Sequence, residues 1–193
     1  MLRIATEADV SDMLTIYAPY VVSSTATFEY VPPSQEEFMQ RFQTYTAQFP
    51  WLVWEEGGRI LGYAYASAPF TRAACDWCAE PTIYLRGDAR GLGIGKKLYD
   101  ALETILFRQG YQVLYALVTG EIDASLRFHE KQGYRVTARL PECGFKFDRW
   151  LDLLWLEKRL RFDKIPSAAP KSWPSLMQNA EIFSDILDIF SLS

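Results

Sequence analysis

A mixed α/β fold with one parallel strand crossover is predicted for this chain, on three observations. Ile83-Tyr84-Leu85 is a run of β-formers that gives way, through Arg86 to Asp88, to glycines at 91, 93 and 95. Lys96, Lys97, Leu98, Ala101, Leu102, Ile105 and Leu106 follow with the spacing of an amphipathic helix, ending at Gln109 with Gly110 as its stop. Val113 to Val118 is a continuous apolar run, as expected of a strand buried on both faces. Strand, turn, helix and strand in that order make a right-handed parallel crossover.

The remaining elements follow in order. Leu2-Arg3-Ile4 reads as a short strand and Thr6-x-x-Asp9 as a capping box. Val10, Met13, Leu14 and Tyr17 then mark a helix that should end near Pro19 or shortly after. Ser24 to Tyr30 is irregular and is closed by Pro32 and Pro33. Ser34-x-x-Glu37 opens a second helix with Phe38, Phe42, Tyr45 and Phe49 on one side. Trp51 to Glu55 and Arg59 to Ser67 flank Gly57-Gly58 as a β-hairpin. Gly62, Ala64 and Ala66 leave one face of its second strand nearly bare, so a helix or a ligand can approach closely there. Pro69 to Trp77 is a loop, and Cys78 to Leu85 is the strand entering the glycine turn. Beyond the crossover, Gly120 breaks the chain, Ile122 to Gln132 is helical with Gly133 as its stop, and Tyr134 to Leu140 and Trp150 to Leu156 are the last strands.

Composition bounds the function. The chain has 193 residues, 49% of them hydrophobic, which suits one cored domain with or without an appendage. A formal charge of −4 argues against a nucleic-acid partner, which usually leaves a basic surface. No apolar run approaches the roughly 20 residues of a membrane span, and the N-terminus lacks a signal-peptide profile, so a cytoplasmic location is expected. Cys75-x-x-Cys78, Cys143 and His129 supply four zinc-type ligands, but they are scattered and no second paired motif accompanies them. Reduced, structural cysteines and no metal are the expectation.

A glycine-rich turn feeding a helix leaves outward-pointing N–H groups at the positive end of the helix dipole, which is a phosphate site. The nucleotide P-loop fails here, because its first glycine would fall on Arg90 and its magnesium-binding hydroxyl on Lys97. The dinucleotide fingerprint fails because its third glycine would fall on Lys96. What remains, Arg90-x-x-Gly93-x-Gly95 after a strand, resembles the acetyl-CoA pyrophosphate loop of the GNAT superfamily of N-acetyltransferases.

A second set of residues narrows the resemblance. Ala124-Ser125-Leu126-Arg127-Phe128-His129-Glu130-Lys131-Gln132-Gly133-Tyr134, followed by Gly144-Phe145-Lys146-Phe147-Asp148-Arg149-Trp150-Leu151-Asp152, is similar to the phosphinothricin and methionine sulfoximine acetyltransferase branch. The resemblance covers residues 1 to about 160. It implies the GNAT fold: a mostly antiparallel twisted sheet of about six to seven strands with one parallel crossover, flanked by about four helices. It also implies acetyl-CoA as co-substrate, with Tyr84, Leu85, Arg90, Gly91, Leu92, Gly93, Ile94, Gly95, Lys96, Asp123 and Ser125 around it, and a homodimer.

The chemistry itself is independent of any family. An alkyl amine is mostly protonated near neutral pH, and only its neutral form attacks a thioester, so a base is needed. By resemblance that base is Glu80, acting through water from the start of its strand; partial burial would tune it, whereas a solvated loop glutamate would not serve. The amide of Leu85 is by resemblance the donor to the thioester oxygen. His129, the only histidine, stands where the superfamily often has a tyrosine for the leaving thiolate, and its role as acid, second base or substrate contact is open. Where an asparagine is usual, this chain has Ile122, which cannot make that hydrogen bond, with Asp123 beside it.

For the acceptor, Phe28 and Glu29 match the branch's loop between the first two helices, and Lys146, Arg149 and Trp150 lie on the segment that by resemblance borders the site. Phe28 is equally readable as a loop anchor and Arg149 as a surface cation. A small primary amine, an amino acid or analogue, fits best. Acetylation of a protein N-terminus or lysine, and acetyl-CoA binding without turnover, are the rivals. From Arg161 onward the composition changes: residues 165 to 174 read as a linker and Ser175 to Phe190 as an acidic amphipathic helix that packs on its own protein, a sister subunit or another partner.

Overall fold

A computed structural model describes residues 1–161, 165 and 168–178. Seven strands form one sheet in the order β1-β2-β3-β4-β5-β7-β6. They are β1 (Leu2–Ile4), β2 (Trp51–Glu56), β3 (Arg59–Ser67), β4 (Cys78–Leu85), β5 (Val113–Thr119), β6 (Arg135–Lys146) and β7 (Arg149–Arg159). Every neighbouring pair is antiparallel except β4 and β5, the predicted crossover. The helices are α1 (Val10–Ser23), α2 (Gln35–Thr46), α3 (Ile94–Gln109), α4 (Asp123–Lys131) and α5 (Trp173–Met177).

Alternation along β2 and β3 sends side chains to two different cores. Trp51, Val53, Ile60 and Tyr63 face α1 and α2 with Val10, Met13, Tyr17, Phe38 and Phe42. This side is aromatic, with the Trp51 and Tyr65 rings stacked at 4.1 Å and Tyr17 set edge-on to Tyr84 at 4.8 Å. On the other face, Ala64 and Ala66 meet α3 through a core containing Leu98, Leu102 and Ile105. The bare stripe of β3 is therefore covered by a helix. Gly62 extends it, and a Cβ there would stand 2.3 Å from Leu85 Cδ2.

One boundary is sharpened by the structure and two differ from the sequence reading. Helix α1 continues one turn beyond Pro19, where Ser23 and Ser24 hydroxyls donate to the carbonyls of Pro19 and Tyr20 and support the end of the helix. Strand β6 runs on to Lys146 across two register shifts, the second between Leu140 and Gly144, so the Gly144-x-Lys146 motif is strand and not connection. It turns into β7 through Phe147 and Asp148, both at positive φ as a two-residue hairpin loop requires. Helix α5 begins inside the stretch read as linker: Ser172 caps it, and Trp173 and Leu176 bury into the α3-side core. The remainder of the expected tail helix, from residue 179, lies outside the described residues.

One partly buried ion pair joins α3 to β7. The Glu103 carboxylate, 7% exposed, accepts from the Lys158 ammonium and from the Tyr134 hydroxyl at 2.9 Å. Lys158→Met leaves that carboxylate with the Tyr134 hydroxyl but without its cation and is expected to cost roughly 1–3 kcal/mol, read as a lower urea midpoint at unchanged slope.

Candidate active site

Strands β4 and β5 pair only at Cys78↔Val113 and Ala79↔Leu114, yet both run on well past that point. They separate, and the β5-facing edge of β4 from Glu80 to Leu85 is left without a strand partner. At its far end the Leu85 N–H donates to the Tyr20 hydroxyl at 3.2 Å, and that hydroxyl donates back to the Leu85 carbonyl at 2.5 Å. Tyr20 thus satisfies both backbone groups of Leu85 where the sheet has opened. The Leu85 side chain is held by two glycines: besides Gly62, a Cβ at Gly95 would lie 3.2 Å from Leu85 Cδ1.

The glycine turn continues from that point. Gly91 and Gly93 both take φ +80, and Gly93 is the N-cap of α3. Ile94 is buried and anchors the first turn, while Leu92 is exposed, and the first N–H groups of the helix have no intrahelical acceptor. Arg90 stacks its guanidinium 5.2 Å from the Tyr20 ring centroid, and Lys96 pairs with Asp100 one turn on. A cleft of about 330 Å³ opens beside this turn, lined by Tyr20, Ser23, Ser24, Leu85, Arg86 and Arg90 among others. Tyr84, 9% exposed, is packed in the aromatic core and is paired in register with Tyr63 of β3, so it does not line this cleft as the sequence reading expected.

Glu80 lies at the mouth of the divergence, half-buried and paired in register with Ser67. Burial alone raises its carboxyl from the usual range to about 7. Nearby, the Tyr99 hydroxyl sits 3.1 Å from the Pro81 carbonyl and 2.9 Å from His129 Nε2. His129 Nδ1 lies 2.8 Å from the Ser125 carbonyl, which can only accept, so Nδ1 carries a hydrogen, and the one Tyr99 hydroxyl hydrogen is shared between two acceptors within reach, His129 Nε2 and the Pro81 carbonyl. Burial holds the imidazole below its ordinary pKa, against the opposing Ser125 bond. His129 therefore stands behind Tyr99, with both ring nitrogens engaged.

The other sequence-derived residues divide into two groups. Asp123 is exposed in the first turn of α4, 3.6 Å from Arg127, while Ile122 caps that helix by accepting the Ser125 and Leu126 amides. Glu29 pairs with Arg41 at 2.9 Å and Arg149 with Glu121 at 2.7 Å. The loop carrying Phe28 docks on β6, with Phe28 against Gly144 and Lys146 Nζ on the Thr27 carbonyl, and Trp150 is exposed on the β6–β7 hairpin with Phe145 at 5.2 Å. Sequence reasoning missed Tyr20 and Tyr99. Tyr20 lies three residues beyond Tyr17 in a helix expected to be ending, and Tyr99 reads as core.

Comparison with known proteins places this geometry. Residues 2–155 match the family model described as an acetyltransferase (GNAT) domain. The chain belongs to the GNAT acetyltransferase family. It is 33% identical over 152 residues to phosphinothricin N-acetyltransferase of Streptomyces viridochromogenes, covering 79% of this chain and 83% of that protein. It is 32% identical over 161 residues to the L-methionine sulfoximine/L-methionine sulfone acetyltransferase of Pseudomonas aeruginosa, covering 82% and 94%. Among solved structures, a GNAT superfamily phosphinothricin acetyltransferase from Sinorhizobium meliloti in complex with acetyl-CoA superposes with a TM-score of 0.83 at 33% identity, over 93% of this chain and 98% of that one. The loop and helix motifs that suggested this family both fall within the matched GNAT domain.

Proposed function

We propose that this GNAT enzyme transfers the acetyl group of acetyl-CoA directly to the primary amine of a small amino acid or analogue. The observation that carries it is Glu80, whose carboxyl is raised to about 7 by burial at the mouth of an unpaired strand edge. A base tuned to neutrality at that point suits an amine acceptor. The relatives' names, phosphinothricin and methionine sulfoximine acetyltransferases, support the acceptor class.

The residues divide the work as follows. The Gly91 to Lys96 turn receives the pyrophosphate on backbone N–H groups, and the amide-bearing arm of the co-substrate lies along the free edge of β4. The Leu85 N–H, held here by Tyr20, turns to the thioester oxygen and meets the charge that develops on it. Glu80 removes one proton from the ammonium, directly or through water. The amine nitrogen then bonds to the acetyl carbon, the carbon–sulfur bond breaks, and the nitrogen's next proton passes to the departing sulfur. In this scheme His129 props Tyr99 against Pro81, next to the base, and Phe28 with Arg149 and Trp150 borders the acceptor.

If Glu80 is the base, kcat should fall about tenfold per pH unit below about 7 and stay level above it. A profile with no limb near 7 would remove the assignment. We further propose a homodimer, supported by exposed Val136, Leu140, Phe145, Phe147 and Trp150 on the edge hairpin β6–β7. A cytoplasmic location accords with three free cysteines. Among the described residues no helix is long and apolar enough to cross a membrane.

A further inference from the structure

The loop between α1 and α2 is held to other elements at nearly every residue from Ser24 to Tyr30. The Lys146 ammonium, on a residue only 3% exposed, donates to the Ser24 carbonyl at 2.9 Å and to the Thr27 carbonyl at 2.8 Å. Glu29 is fixed by Arg41 of α2, and the Tyr30 hydroxyl donates to the Phe145 carbonyl of β6. Between these ties the Phe28 ring packs directly against Gly144, where a Cβ would stand 2.5 Å from Phe28 Cε2 and Cζ. Gly144 is not among the glycines at positive φ. Its missing side chain is thus required by space, not by backbone conformation.

A buried ammonium needs its donors filled, and two of its three here are filled by the backbone of one short loop. That is the arrangement of a latch. The same lysine on an open surface would hold nothing in place.

We propose that Gly144 and Lys146 are positioning residues that determine acceptor specificity, by locking the Phe28 loop against the hairpin and so setting the depth of the acceptor pocket. The inference rests on the small-amine reading above, and it moves Lys146 from touching the substrate to shaping its wall. Gly144 sets how closely Phe28 approaches the hairpin, and Lys146 fixes the loop path on either side of that contact. An acceptor with a small side chain is then the one that fits under the ring.

The test compares Gly144→Ala, Lys146→Met and Phe28→Ala with the parent enzyme across amino acids of increasing side-chain size. Acetyl-CoA affinity is measured by titration calorimetry alongside. Gly144→Ala should raise KM for the smallest accepted amino acids about tenfold, with acetyl-CoA affinity within about twofold of the parent. Adding Gly144→Ala to Phe28→Ala should change KM little further, because the contact is already gone. Lys146→Met should move KM in the same direction and speed amide hydrogen exchange at residues 25–30. Unchanged KM and acceptor ranking in both latch variants, or additive effects of Gly144→Ala and Phe28→Ala, would overturn the proposal. If Lys146→Met does not fold, the cycle between Gly144 and Phe28 decides alone. A parent enzyme silent on every amino acid overturns the function reading instead; exchange at residues 25–30 then judges the latch, and equal rates in Lys146→Met and parent reject it.

Discussion

Replacing Glu80 with Gln is expected to lower kcat by about 100-fold or more, with acetyl-CoA affinity within about twofold. Gln keeps the shape of the side chain and its place on β4, but it cannot take a proton from an ammonium. The free edge of β4 and the glycine turn are untouched by the change, so co-substrate binding should persist. Stability provides an independent check on the same residue. The folded carboxyl, at about 7, lies above its ordinary 4.5, so the folded state holds that proton the more tightly. The resulting stabilisation is complete below about pH 4.5 and is lost as pH rises through 7. A gap of this size corresponds to roughly 3 kcal/mol. At pH 8 the ionised, half-buried carboxylate is a cost that Gln removes, so the inactive variant should melt at the same temperature as the parent or higher. A variant that lost both activity and stability would point to a structural role for Glu80.

Gly93→Val is expected to weaken acetyl-CoA binding about tenfold or more, seen by titration calorimetry, with a smaller effect on kcat at saturation. The residue sits at φ +80 as the N-cap of α3, a conformation that a β-branched side chain strongly resists. Nothing lies within 4 Å of a Cβ built there, so the effect isolates the backbone and not a clash. Relaxing φ would tilt the first-turn N–H groups away from the phosphates they are proposed to bind. An unchanged affinity would mean that the turn does not cradle the co-substrate.

Local patterns carried most of the fold. The crossover was legible because β-formers, glycines and a helical apolar stripe meet within residues 83 to 106, and both capping boxes form as read, at Thr6 and at Ser34. That α1 ends at Ser23, within the range read after Pro19, could not be pinned from sequence, since the hydroxyls of Ser23 and Ser24 that support its end look like loop residues. The length of β6 was hidden by its bulges, which interrupt strand periodicity between Val136 and Ala138 and between Leu140 and Gly144. In the site, Glu80 and the glycine turn could be placed from sequence, because each is a local feature of one strand end. Lys146 could not be read as a latch, because its partners Ser24 and Thr27 are brought to it only by the fold. Tyr20 on Leu85 is the same kind of pairing, a helix and a strand 65 residues apart.

The measurement that bears most directly on the account is coenzyme A release from acetyl-CoA across a panel of acceptors. The panel holds methionine sulfone, methionine sulfoximine, phosphinothricin, ordinary amino acids, polyamines and peptides. The account predicts rapid release with one or more small amino acids or analogues, little with peptides, and near silence from Glu80→Gln on the same acceptor. Preference for a peptide N-terminus or lysine, or no release on any acceptor while acetyl-CoA still binds, would contradict it.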